Sequence, residues 1–358
     1  MRTGRSKREP CSGSPRPVCI RGGERPLIMN ASKNIPGNGV PSFGRIAGPL
    51  AQVRERIHQG LSANGADGEL TPFLDHLQAC GGKMLRPGLV LLAGECFGPV
   101  RPEHIQVAAM VEMIHHATLL HDDVIDEGRQ RRGLPTANRL WGNESAVLLG
   151  DFVLSQVFRM AAELDPAVAR ILAQTAVRVC EGELRQTVQR RNWQLSESRY
   201  LEIITEKSAS FFGGCCRLGA MLSHADAAQT EALARFGLLA GIAFQIADDL
   251  LDLTADEART GKTAQSDLAK DKATLPVIHL LQAVDPPRRA ALCVLLEAAP
   301  KSRREFLDTL ERHGSLRYAR EQAAAYVARA IQALDPVPPG EAKEALVQTA
   351  RFMADRSA

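Results

Sequence analysis

The chain is predicted to be all-α, a large helical bundle preceded by a basic tail, and three observations predict it. Good helix formers (Ala, Leu, Glu, Arg, Gln) dominate long stretches, while aromatics make up only 4% of the residues and β-branched runs are scarce. From about Pro49 onward, apolar residues recur at helical spacing. The breaks between periodic stretches are short and rich in Gly and Pro: Gly81-Gly82, Gly98-Pro99, Gly128 to Pro135, Asp285-Pro286-Pro287 and Pro336 to Gly340.

In order along the chain, residues 1–45 carry turn formers and no apolar period, and are read as a disordered tail. Helices are expected at 47–62, 69–79, 84–97, 102–125, 136–141, 144–164, 166–190, 196–222, 226–254, 273–283, 286–298, 301–313, 315–334 and 338–355, with boundaries good to about 2–4 residues. No strand pattern and no fixed-period repeat is expected. The stretch Val107 to Asp126 is apolar on nearly every side (Ala108, Met110, Val111, Ile114, Leu119, Leu120, Val124, Ile125). A helix of that kind sits centrally in its bundle. The run Leu238 to Leu253 reads the same way.

Both of those helices end in aspartates, Asp122-Asp123-Val124-Ile125-Asp126 and Asp248-Asp249-Leu250-Leu251-Asp252. Asp122 and Asp126 are four apart and share a face, as do Asp248 and Asp252. Asp is a poor helix former, and unpaired buried carboxylates are costly, so cations must offset them. Hard oxygen donors on facing helices suit Mg²⁺, which bridges carboxylates to a substrate's phosphates. One such cluster alone reads more readily as a solvated helix end; two, on apolar helices and beside basic motifs, point to a metal–diphosphate site.

The basic motifs follow. Lys83 and Arg86, in Gly81-Gly82-Lys83-Met84-Leu85-Arg86-Pro87, lie three apart at a helix start, where free backbone N–H groups also favour an anion. Arg131-Arg132-Gly133 comes a short loop after the first acidic cluster. Lys207-Ser208 falls within a helix, and Lys262 and Lys272 follow the second cluster. His115 lies seven residues before Asp122 on the same face, placed to donate to a phosphate, although a core histidine with a satisfied hydrogen bond is the alternative. His116 and His121 are read as structural or peripheral.

Bulk properties exclude other classes. The net charge is +3, but residues 1–30 alone carry +5, leaving the body slightly acidic. That argues against a nucleic-acid binder, as does the absence of aromatics from the basic stretch 1–30. The eight cysteines form no C-x-x-C pair and are read as reduced, mostly buried thiols of a cytoplasmic protein. No apolar run is long enough to span a membrane. The Arg-rich start resembles a transit peptide only in composition; a disordered tail, or Met29 as the true start, is the preferred reading.

Taken together, residues 47–358 resemble the trans-polyprenyl diphosphate synthase family. The resemblance rests on Gly81-Gly82-Lys83 with Arg86-Pro87, His121 to Asp126, Arg131-Arg132-Gly133 with Pro135-Thr136, Gly150-Asp151-Phe152, Phe244 to Asp252, Gly261-Lys262, and Asp267-Leu268 with Lys272 to Pro276. It implies a single domain over 46–358 of the isoprenoid synthase type, with a central cavity, and a chain-elongating prenyltransferase using isopentenyl diphosphate and an allylic diphosphate. By resemblance, Asp122 and Asp126 bind Mg²⁺ with Asp123 supporting, and Asp248, with Asp249 and Asp252, holds a further ion. Arg131, Lys207, Ser208, Gln245 and Lys262 contact the allylic diphosphate, while Lys83, Arg86, His115 and Arg132 bind isopentenyl diphosphate. Met84 and Ser208 depart from the usual Arg and Thr; Ser208 keeps the hydroxyl. A homodimer and a peripheral membrane contact for product release are also implied.

Product length follows from the helix before Asp122. Ala117 and Thr118, about one turn back, are small, and in the family small residues there accompany long products. The expectation is an octaprenyl-to-decaprenyl product for a quinone side chain. Competing readings are a terpene cyclase, which lacks a site like Lys83/Arg86, a short-chain farnesyl or geranylgeranyl synthase, and a non-catalytic subunit of a heteromeric synthase, which loses one aspartate motif.

Overall fold

A computed structural model of the protein describes residues 40–62, 68–79, 81–254, 266–297 and 303–355. It begins with a 3₁₀ turn, Pro41–Ile46. Its Phe43 and Ile46, with Val40 before it, are buried in the core. Part of the stretch expected as tail is therefore structured: two apolar side chains three apart suffice to dock one turn, although they are too few to show as a period.

The helices are α1 (Ala47–Ser62), α2 (Thr71–Ala79), α3 (Leu85–Glu95), α4 (Pro102–Ile125), α5 (Ala137–Ala161), α6 (Pro166–Val188), α7 (Glu197–Ile204), α8 (Ser210–Leu222), α9 (Ala227–Thr254), α10 (Ser266–Ala269), α11 (Leu275–Ala283), α12 (Pro286–Glu297), α13 (Arg303–Arg312), α14 (Ser315–Ala333) and α15 (Glu341–Ala354). Their starts are marked in the sequence. Proline stands in the first turn of α4, α6 and α11, where its missing N–H costs nothing. Asp165 and Ser196 cap α6 and α7, accepting from the backbone N–H of Ala167 and Arg199.

Three local features differ from expectation. The helices expected at 136–141 and 144–164 are one element, α5, kinked where Gly142 adopts φ 86°. The loop after α4 contains a two-residue antiparallel hairpin, with Gln130 opposite Pro135 and Arg131 opposite Leu134. The single helix expected at 196–222 is broken by a π turn, Thr205–Ala209, between α7 and α8.

The core is built on α4, α8 and α9. Met110, Met113, Phe212, Leu218 and Phe236 on these helices are fully buried. α9 lies between α8 and α14, while α4 packs on α5 and α3 on α8. A second apolar cluster joins α7, α9, α11, α13 and α14. Both acidic motifs end central helices, α4 and α9, so their aspartates come to one end of the bundle on buried supports. Among the described residues, Cys215 and Cys216 are buried, Cys96 and Cys293 half-buried and Cys180 exposed, so they are less uniformly buried than expected.

Candidate active site at the ends of α4 and α9

The first motif is held by cations. Arg131, from the hairpin, makes a forked contact with buried Asp123, donating Nε to Oδ2 at 2.9 Å and Nη2 to Oδ1 at 2.6 Å. Asp126 accepts Arg190 Nη2 on Oδ1 at 3.0 Å. Its Oδ2 faces Lys270 at 3.1 Å and Lys272 at 3.3 Å. Burial disfavours the charge of Asp126, but the two lysines outweigh it and hold the carboxyl below its ordinary range.

Asp122, one turn earlier, is poorer in cations. Burial and Glu183 push its carboxyl up to about 6, with Lys207 opposing. Lys207 lies on the π turn and bonds to α6, with Nζ 2.6 Å from Glu183 and 2.8 Å from Gln186. Burial acts against its charge, but Glu183 and Asp122 prevail and raise its pKa. The π turn reaches α6 at Gly182, where any Cβ would run into the Lys207 backbone. Ser208, next along, donates to Gln245 Oε1 at 2.7 Å.

The second motif continues that network. Gln245 donates to Asp249 Oδ1 at 2.7 Å and Tyr200 donates to Oδ2 at 2.6 Å, so protein donors occupy both oxygens of this buried carboxyl. Burial and Asp267 push it up to about 8. An acid whose folded pKa exceeds its unfolded value near 3.9 is cheaper to bury protonated. Its contribution to stability is therefore present at low pH and is lost as pH rises from about 4 through about 8. Melting of the wild type and of Asp249→Asn between about pH 5 and pH 9 checks this: the wild type loses more stability over that range, because the variant cannot ionise there.

Asp252 accepts the backbone N–H of Asp267 at 3.1 Å. Lys272 then lies between Asp126, at 3.3 Å, and Asp267, at 3.8 Å. The link Asp126–Lys272–Asp267–Asp252 joins the two motifs across one opening, although 126 residues separate Asp122 from Asp248.

The other basic residues gather beside α4. Arg86 lies over the rings of Phe211 and Phe212, at 4.9 and 4.7 Å, and its Nε is buried without a partner. Lys83 stands 4.8 Å from the Phe352 ring. The Arg132 guanidinium packs against Gly82. Burial, with Arg86 beside it, keeps His115 well below its ordinary pKa and so neutral. His121 contacts Asp151 at 3.4 Å, in keeping with a peripheral place. Lys262 lies outside the described residues.

Sequence reading missed Glu183, Gln186, Arg190, Tyr200 and Lys270; it counted Lys272 only among the basic residues after the second cluster, and gave Asp267 no role. A lone charge on a helix carries no local signal; these matter only because α6 and the segment after α9 meet the first motif in space.

Among the described residues, no three His, Cys, Asp or Glu side chains converge closely enough to hold a metal alone. The donor chemistry still suits a divalent ion of the magnesium type, which takes one or two carboxylates and completes its shell with water and substrate phosphates. Asp122, whose carboxyl burial and Glu183 push up, is one that such a charge would help to ionise.

The family model described as Polyprenyl synthetase matches residues 67–312. The chain belongs to that family. It is 35% identical over 280 residues to the octaprenyl diphosphate synthase of Haemophilus influenzae, covering 77% of this chain and 85% of the other. It is 32% identical over 313 residues to a short chain isoprenyl diphosphate synthase of Methanothermobacter thermautotrophicus, covering 84% and 94%. The crystal structure of a polyprenyl synthase from Caulobacter crescentus, complexed with calcium and isoprenyl diphosphate, superposes with a TM-score of 0.83 at 34% identity, covering 90% of this chain and 100% of that one. This polyprenyl synthetase is thus a trans-prenyltransferase of the isoprenoid synthase fold, elongating an allylic diphosphate with isopentenyl diphosphate. Among the described residues, no helix is long and apolar enough to cross a membrane.

Proposed function

We propose that this enzyme makes a long-chain all-trans polyprenyl diphosphate in the cytoplasm, with Mg²⁺, for a quinone side chain. The observation that carries the site assignment is Lys272 between Asp126 and Asp267, because it sets both aspartate motifs around one opening. Asp122 and Asp126 on one side and Asp248 and Asp252 on the other are the metal ligands in this reading. Asp249 instead belongs, with Tyr200, to the frame that orients Gln245. The catalytic domain of this reading takes in the docked turn Pro41–Ile46, and so begins near residue 40 instead of residue 46.

Bound magnesium supplies the positive charge that a departing diphosphate needs. Lys207, Ser208, Gln245, Arg131 and Lys262 orient the allylic diphosphate and share its growing charge as the C–O bond breaks. Lys83, Arg86, Arg132 and neutral His115 hold isopentenyl diphosphate so that its double bond attacks the allylic carbon. The new C–C bond forms, and the released diphosphate takes the proton whose loss restores an alkene. The apolar walls of α4, α8 and α9 keep water from the cation.

The long product is supported by small Ala117 and Thr118 on α4 and by likeness to an octaprenyl synthase. A homodimer is supported by exposed apolar side chains on α5 and α6, namely Leu148, Phe158, Val177, Leu184 and Val188, which a second copy would cover. The test is purified protein with Mg²⁺, farnesyl diphosphate and isopentenyl diphosphate, with products read by mass spectrometry. Products of eight to ten isoprene units are expected. A product stopping at three or four units would make it a short-chain enzyme, and absence of elongation would overturn the reading.

A further inference from the structure

We infer that Arg190 and Lys270 are placeholders for the divalent cation: with Lys272 they hold the Asp126 carboxylate until a metal takes it, and then turn to the diphosphate. This rests on the reading of Asp126 as a metal ligand.

Three cations surround one carboxylate, Arg190 on Oδ1 and both lysines on Oδ2. A single negative charge does not call for three, and Lys272 is shared only with Asp267. Among the described residues Asp122, on the same helix face, makes no ion pair within 4 Å; the cation that acts on it most, Lys207, is committed to Glu183 at 2.6 Å. The positive charge is therefore concentrated on the one aspartate at the rim.

The two placeholders are mounted on a common clasp. Arg190 precedes Arg191 and Lys270 precedes Asp271. Arg191 donates its backbone N–H to the Asp271 carbonyl at 2.9 Å and its Nε to the Asp271 carboxylate at 2.8 Å. Both residues are left-handed, with φ 64° and 58°, a conformation that side chains other than Gly, Asn and Asp rarely adopt. The clasp thus joins the end of α6 to the segment after α10 and presents one cation from each to Asp126. Trp193, two residues beyond Arg191, is buried beside it in the α7 cluster.

A magnesium ion sits about 2.1 Å from each ligand oxygen. A divalent charge on Asp126 would repel the ammonium and guanidinium groups held about 3 Å from the same oxygens, so the metal and these cations compete for the carboxylate. Metal binding therefore weakens the hold of the placeholders on Asp126, and the coupling is reciprocal. Arg190, Lys270 and Lys272, once loosened from Asp126, would be free to contact a bound diphosphate.

The chain has two tryptophans. Trp141 packs on Phe73 and His76 of α2 and not on the clasp, so Trp141→Phe leaves Trp193 as the single emitter beside the clasp. Mg²⁺ alone is titrated into this protein by calorimetry and by Trp193 emission, and inorganic diphosphate is then added. Lys270→Ala is expected to tighten Mg²⁺ roughly three- to tenfold, as removal of one cation from a partly exposed carboxylate allows, and to weaken the later binding of diphosphate. Arg191→Ala, which leaves Asp126 and its three cations in place, is expected to shift Trp193 emission before metal is added and to tighten Mg²⁺ less. Unchanged or weaker Mg²⁺ binding in Lys270→Ala, with binding weakened in Asp126→Asn, would overturn the placeholder role and leave the metal site standing. Mg²⁺ binding untouched by Asp126→Asn would overturn both.

Discussion

Asp122→Ala and Asp248→Ala should each lower turnover by roughly 10³-fold or more while the helical circular dichroism stays as in the wild type. A metal that polarises a leaving diphosphate supplies several kcal/mol of transition-state stabilisation, and each ~1.4 kcal/mol is a factor of ten. The fold should survive because both aspartates lie at the last turns of α4 and α9, half-buried at the opening, while the helices are held by apolar faces lower down. Asp122→Ala also removes a carboxyl that burial makes costly to ionise, so the variant should melt no lower than the wild type at neutral pH. Single-turnover rates with farnesyl and isopentenyl diphosphates, with melting curves alongside, check both statements. Retained turnover in either variant would remove the metal assignment from that motif.

Thr118→Tyr is expected to shorten the product by several isoprene units, read by mass spectrometry. Thr118 is half-buried one turn before Asp122, and its hydroxyl is engaged only with the His115 carbonyl at 2.8 Å, so the larger ring enters the space below the diphosphates. Ala117→Phe should also shorten the product, with a second effect. Ala117 is fully buried, and adding a ring to a packed position costs typically 1–3 kcal/mol. Its melting temperature should therefore fall where that of Thr118→Tyr holds. Products of unchanged length in both variants would detach α4 from the control of chain length.

Most of the fold was legible because its signals are local. Pro102, Pro166 and Pro276 announce helix starts, and the fully apolar stretches of α4 and α9 announce central helices. The two aspartate motifs and the Lys83/Arg86 pair were legible for the same reason: spacing of three or four places side chains on one face. What could not be read depends on contacts between distant segments. Nothing in Val188-Gln189-Arg190-Arg191 says that Arg190 reaches Asp126, 64 residues earlier. Asp249 looks equivalent to Asp248 in sequence, but 100° of helical rotation turns it to Tyr200 instead of the opening. The π turn was invisible because its residues, Thr205 to Ala209, are ordinary helix formers as a set; it is the approach of α6 at Gly182 that accommodates it.

That π turn bears on how the protein tolerates change in length. A π turn is one residue more than an α-helix needs to cover the same rise, and here the surplus lies within the segment that carries Lys207 and Ser208. Losing one residue there would let an unbroken α-helix form from α7 into α8, a locally sound structure. It would also rotate everything on one side of the cut by about 100°, so that α8 could keep its seat on α3 and α9 only if Lys207 turned away from Glu183. A one-residue deletion in this segment is therefore a change that backbone regularity favours and function forbids, and gene copies that have lost the activity are where such a deletion would accumulate.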